Sequence, residues 1–134
     1  MNKTNFSFES LDVWQKSRGL VSDVYRLMRL FPSYEQYALC NQIRRSVLSV
    51  PSNIAEGSGR DSLKEKIHFI EIAFGSLMEV YCQLLIAADL GYILPEDFST
   101  LSAEIVSIAK MLTRLRSSFK KKLSPPLTSN PLTH

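Results

Sequence analysis

Two histidines and two cysteines in 134 residues leave this chain little with which to hold a metal or arm a thiol nucleophile. Glu65 and His68 have the Glu-x-x-His spacing that sets two ligands on one helical face, but a di-iron bundle needs two such motifs and two further glutamates. The other histidine is the terminal His134, so His68 reads as a surface or rim residue. Cys40 and Cys82 lie in apolar patterns, at neither metal-ligand nor disulfide-framework spacing, and read as buried, inert thiols. Gly57-Ser58-Gly59-Arg60 lacks both a preceding strand and a following Gly-Lys-Ser/Thr, so it reads as a helix-ending turn and not a nucleotide loop. Period-two alternation is nearly absent, which argues against a sheet protein. No apolar run follows a basic start, so a signal peptide is not expected. Val80 to Ala88 is too short a run to span a bilayer. The expectation is a cytoplasmic, non-enzymatic protein with no cofactor, no metal and no membrane.

What is present is helical periodicity. Hydrophobic residues make up 45% of the chain and charged residues 22%, ordinary for one soluble domain. Apolar positions recur at three and four across four windows. The first runs from about Ser10 to Phe31, carrying Leu11, Trp14, Val21, Tyr25 and Met28, and Pro32 stops it. The second is expected to begin at Ser33 with a Ser33/Gln36 capping box, striped by Leu39, Ile43, Val47, Val50 and Ile54. Pro51 should kink it without ending it, and a left-handed glycine within 57–59 should close it. Ser62 and Glu65 offer a cap for the third helix, which carries Ile67, Ile70, Phe74, Leu77, Tyr81 and Leu84 to Gly91. Pro95 opens the fourth, which runs through Ile105, Ile108 and Leu112 to about Lys122.

Short connections make neighbouring helices antiparallel, giving an all-α, up-down-up-down four-helix bundle over 10–122. Residues 1–9 are expected to be a flexible N-terminus and 123–134 a disordered, Pro-rich tail. The expected core includes Leu39, Ile43, Val47, Ile70, Phe74, Leu77, Ile108 and Leu112.

Beside the second helix's core stripe runs a polar strip of Gln42, Arg45, Ser49, Ser52 or Asn53, and Glu56. A matching strip on the third holds Glu71, Gly75, Glu79 and Cys82. Gly75 in a helix interior is costly unless another backbone packs close by. Folding the two helices about residues 59–60 sets Arg45 opposite Phe74 and Arg44 opposite Gly75. Arg45 then reaches Glu71, and Arg44 reaches Glu79. A solvated face is the plainer alternative.

Gln42 to Arg60 reads QIRRSVLSVPSNIAEGSGR, and Phe69 to Ala87 reads FIEIAFGSLMEVYCQLLIA. With these two blocks the chain resembles the bacterial S23 family, named for reading frames inside 23S rRNA intervening sequences. That family is also similar to the accessory subunit of diversity-generating retroelements. The resemblance runs from about Leu11 to Leu115, and its motif falls on Gln42, Ile43, Arg44, Arg45, Ser49, Asn53, Ile54, Ala55, Glu56 and Gly57. Trp14, Ser17 and Val80 depart from its usual tyrosine, alanine and leucine. It implies a four-helix bundle assembled as a ring of five copies, and it leaves the biochemical role open.

Charge supplies the remaining clue. Residues 1–104 hold 10 basic and 13 acidic side chains, whereas residues 105–134 hold 6 basic and none acidic. Lys110, Arg114, Arg116, Lys120, Lys121 and Lys122 form a candidate phosphate-binding cluster, with Arg60 and Lys64 as a second candidate. Basic side chains also complement the negative end of a helix dipole, by about 0.3–1 kcal/mol each, and that accounts for part of the cluster without a partner. Two functions compete: an RNA- or nucleoprotein-binding accessory factor, with a reverse transcriptase among its conceivable partners, and a homo-oligomeric scaffold that binds no nucleic acid.

Overall fold

The four windows become four helices in the computed structural model, which describes residues 6–123. They are α1 (Asp12–Met28), α2 (Leu39–Ser58), α3 (Leu63–Asp89) and α4 (Pro95–Leu123). Single 3-10 turns, Ser7–Ser10 and Ser33–Glu35, precede α1 and α2. No strand occurs among the described residues. Of the expected N-terminal segment, 1–5 lie outside the described residues. The proline-rich segment expected at 123–134 also lies outside them, apart from Leu123, which ends α4.

The helix boundaries show where local patterns were overruled. α1 stops at Met28, short of Phe31, because the amides of Leu30 and Phe31 turn back to the carbonyls of Leu27 and Met28 at i−3. The Ser33/Gln36 box does not form. Gln36 Nε2 instead donates to the Met28 carbonyl at 3.0 Å, satisfying the frayed end of α1, and the second helix begins six residues later than Ser33, at Leu39. Pro51 lies inside α2, as the pattern predicts. Ser52 Oγ and Asn53 Nδ2 donate to the carbonyls of Leu48 and Ser49 in the turn that the proline disrupts.

α2 closes without a left-handed residue, contrary to the glycine expectation. Gly59 has φ −85°, and its amide reaches the Ala55 and Glu56 carbonyls while Lys66 Nζ bonds the Ser58 carbonyl at 3.2 Å. Ser62 caps α3 as expected, its Oγ accepting from the Glu65 amide at 3.0 Å. Gly91, at φ 81°, takes the left-handed role at the end of α3. The Tyr92 amide returns to the Ala87 carbonyl and the Gly91 amide to the Ala88 carbonyl, the paired closure that a glycine permits.

The apolar stripes meet in one core. Leu20, Ile43, Ile54, Leu77, Leu84, Ile105, Ile108 and Leu112 are fully buried, each side chain worth about 1.5–3 kcal/mol of transfer free energy. Val47 and Ile70 are buried as expected, but Leu39 and Phe74 are only half-buried and pack on the outside of this cluster. α2 and α3 approach closely at Gly57, where a Cβ would come within 2.9 Å of Phe69 Cβ. At the other end, Tyr92 Oη donates to Glu35 Oε2 at 2.7 Å and meets Tyr34 Oη at 3.4 Å. Hydrogen bonding with Tyr34 and Glu35, together with burial, pushes the Tyr92 phenol upward. α4 has 29 residues against 17 in α1, about 44 Å against about 26 Å, so its last turns extend beyond α1.

Candidate interaction surfaces

Ser49 and Asn53 of the polar strip on α2 belong to an internal seam with α3, whereas Gln42, Arg45 and Glu56 are exposed. Ser49 Oγ and Ser76 Oγ are 2.7 Å apart, Asn53 Nδ2 donates to Ser49 Oγ at 2.9 Å, and Ser46 Oγ donates to Gln83 Oε1 at 2.6 Å. Sequence reasoning identified Ser49 and Asn53 but missed Ser46, Ser76 and Gln83. Small hydroxyls at helical spacing beside an apolar stripe carry that signal, since they let two backbones pack closely.

The two expected ion pairs do not form. Arg44 turns toward the α1–α2 connection, donating from Nη1 to the Gln36 carbonyl and from Nη2 to Gln36 Oε1, each at 3.0 Å. Both terminal guanidinium nitrogens are thereby engaged at Gln36, and no carboxylate lies within ion-pair distance of Arg44 among the described residues. Glu71 is taken by Arg116 of α4, whose Nε donates to Oε2 at 2.6 Å. Arg45 and Glu79 are exposed, with no ion pair among the described residues, as is Gln42. For Arg45 and Glu71 the physical reason is register. Ser46 faces Gln83 and Ser49 faces Ser76, so α3 sits further along α2 than a fold at 59–60 would place it.

The outer face of α3 is unusually bare. Gly75 is exposed, and a Cβ there would meet nothing within 4 Å, so no backbone among the described residues explains the glycine. Ile72, Met78, Leu85 and Ile86 of α3 are exposed, as is Leu48 of α2. Cys82 also lies exposed here, correcting the expectation of two buried thiols. Cys40 is buried, and burial raises its thiol pKa against the opposing effect of Arg44. α3 is long and apolar enough to cross a membrane by length and composition, yet its Ile70, Ala73, Leu77, Val80 and Leu84 belong to the bundle core.

The basic residues divide into engaged and free. The Glu71–Arg116 bond runs between antiparallel α3 and α4 and sets the end of α4 beside the start of α3. Lys120, Lys121, Lys122 and Lys64 therefore share one end of the bundle, and the two candidate phosphate sites become one region. Arg60 does not contribute a free charge. It bonds Glu56 Oε2 at 2.5 Å, lies 3.7 Å from Glu65 Oε2 and stacks on Phe69 at 4.9 Å from the ring centroid. Arg116 is likewise held by Glu71. Lys110, Arg114 and Lys121 recur on one exposed stripe of α4, while Phe119 packs against the core and offers no stacking face. His68 is exposed, and no group of three or more metal-ligating side chains occurs among the described residues.

A four-helix bundle with a hydroxyl seam, a bare apolar helix face and a lysine-rich end is the class of protein that these features define. Residues 9–114 match the family described as 23S rRNA-intervening sequence protein, and the chain belongs to that family. A crystal structure of a protein of unknown function from the S23 ribosomal protein family of Bacteroides thetaiotaomicron VPI-5482 has the same fold. It aligns with a TM-score of 0.72 at 24% identity, over 78% of this chain and 97% of that one. No curated protein matches the chain. The family match ends at Arg114, so Arg116 and Lys120 to Lys122 lie beyond it.

Proposed function

We propose that this chain is a non-enzymatic, cytoplasmic accessory protein that assembles with copies of itself and binds the phosphate backbone of RNA, free or within a nucleoprotein. The observation that carries the reading is the end of α4. Lys110, Arg114, Lys120, Lys121 and Lys122 are exposed and make no ion pair among the described residues, and no acid follows Glu104 in the sequence. The last-turn lysines complement the α4 dipole, but Lys110 and Arg114 lie too far back along the helix for that role. Lys64 joins them from α3. Few aromatics are available, so the contact is to phosphate and tolerant of sequence.

Self-assembly is supported by the outer face of α3, where Gly75 meets nothing within 4 Å among the described residues and Ile72, Met78, Leu85 and Ile86 are exposed. Five copies, the number implied by the resemblance, would multiply weak phosphate contacts where one RNA reaches several of them. A reverse transcriptase bound to its RNA is one nucleoprotein of this kind.

The test is fluorescence anisotropy with unrelated labelled RNAs at about 50 and about 200 mM salt. Lys120→Glu, Lys121→Glu and Lys122→Glu together should weaken binding to every RNA alike and flatten the salt slope. Absence of binding by the unmodified protein at the lower salt would overturn the RNA reading. The second reading, a scaffold without nucleic acid, would then stand on the α3 face alone, with salt-insensitive assembly in sedimentation as its mark.

A further inference from the structure

On the side of the molecule away from the hydroxyl seam, α1 and α4 meet around two carboxyls. Asp23 of α1 and Glu104 of α4 lie within hydrogen-bonding reach of each other, and both line two adjoining cavities of about 360 and 220 Å³. Both cavities are lined by residues of α1 and α4, with Leu30 of the turn after α1 closing one side of the larger. Gly19 borders the smaller one and leaves it open, since a Cβ there would touch nothing within 4 Å. The Oε2 atom of Glu104 is buried without any donor. Two carboxylates offer each other only acceptors, so a bond between them requires a proton.

The remaining charged groups do not supply that donor. Arg26 Nη1 bonds the Oδ1 atom of Asp23 at 3.1 Å, on the exposed rim of the seam. Lys16 lines the smaller cavity and attracts Glu104 through space, but makes no hydrogen bond to it. Asp97 lines the larger cavity and adds a third negative group. Thr100 and Ser107 are the hydroxyls beside the pair, and the Thr100 proton goes to the Glu96 carbonyl.

We propose that Asp23 and Glu104 form a proton-operated latch between α1 and α4. With one proton held between the carboxyls the seam is closed. When that proton passes to solvent, two negative charges oppose each other across the seam and α1 loosens from α4. The direction of titration agrees. Burial, then the bond to Asp23 and its charge, raise the Glu104 carboxyl from 4.5 to about 7, with Lys16 opposing. The latch therefore operates near neutrality, where an ordinary exposed carboxyl would already be fully ionised. The open cavities beside the pair leave room for α1 to shift without breaking the α2–α3 hairpin.

Hydrogen exchange resolved along the full chain tests this, at about pH 5.5 and about pH 8.5 with rates corrected for intrinsic chemistry. Raising the pH should reduce protection of the α1 amides by about tenfold, the equivalent of about one pKa unit, and leave α2 and α3 unchanged. Glu104→Gln supplies a permanent amide donor to Asp23 and should make α1 protection independent of pH. Asp23→Asn should do the same from the other side, and serves if the first variant fails to fold. An unchanged pH response in either folded variant, or a loss of protection spread evenly over all four helices, would overturn the latch.

Discussion

Ser49 and Ser76 join α2 to α3 through a hydroxyl pair 2.7 Å apart, with Ser76 only 7% exposed. Asn53 Nδ2 donates to Ser49 Oγ, which leaves the serine's own proton free for Ser76. Ser76→Ala should therefore cost about 0.5–1.5 kcal/mol. Ser49→Ala with Ser76→Ala should cost less than the two single changes added together, because neither hydroxyl is then left without its partner. A urea-denaturation double-mutant cycle measures the difference, and strict additivity would refute the coupling.

Two glycines on the helix pair should respond in opposite directions. Gly57→Ala drives a methyl to 2.9 Å from Phe69 Cβ and should destabilise the fold by about 1–3 kcal/mol. Gly75→Ala meets open space and should stabilise α3 by about 0.5–1 kcal/mol through backbone entropy. If the outer face of α3 is an assembly surface, Gly75→Leu should retain the fold while lowering the sedimentation coefficient at micromolar concentration.

Burial ranks two core substitutions. Leu112 is fully buried, and Leu112→Ala should cost about 2–5 kcal/mol. Phe74 is half-buried, so Phe74→Ala should fall below the range of about 3–5 kcal/mol usual for a buried aromatic. Thermal denaturation of the two variants under one buffer would expose an inverted order.

The cysteines should differ in reactivity. Cys82 is exposed in the single bundle and should react with iodoacetamide in folded protein diluted below assembly. Cys40 is buried with a raised thiol pKa, and should react only as the bundle opens. Peptide mass mapping against time would show Cys40 labelling as fast as Cys82 if this placement is wrong.

Glu104 should reverse the usual carboxylate trend. Its folded pKa, about 7, lies above the 4.5 of an unperturbed glutamate, so the native state holds more protons between those values. Its contribution to stability is full below about pH 4.5 and is lost as pH rises through about 7. The urea midpoint of the unmodified protein should fall across that window relative to Glu104→Gln, and parallel curves would count against it.

The helices, the Ser62 cap, Pro51 within α2 and Pro95 at the start of α4 were legible because each is a local decision, settled within one or two turns of chain. The ion pairs were not, because they depend on how far one helix slides along another. Arg44 found two acceptors on Gln36, eight residues away, and Glu71 found Arg116 on a helix that the hairpin argument had not considered. The same limit hid Asp23 and Glu104, which look like ordinary polar positions until α1 and α4 are laid side by side. The lysines of α4 were readable as a cluster, but their separation into free and engaged charges required Glu56, Glu65 and Glu71 to be placed in space.

The difference in length between α4 and α1 decides how a pull on the lysine end would travel. With Asp23 opposite Glu104, the first residue of α1 lies opposite about Leu115, so Arg116 onward has no α1 beside it. Force applied at Lys120 to Lys122 enters the bundle through the α3 side, where Arg116 is tied to Glu71, and reaches α1 only after passing through the core. The lysine end is thus a cantilever clamped on one flank: it can swing or fray under load while the seam between α1 and α4 stays shut.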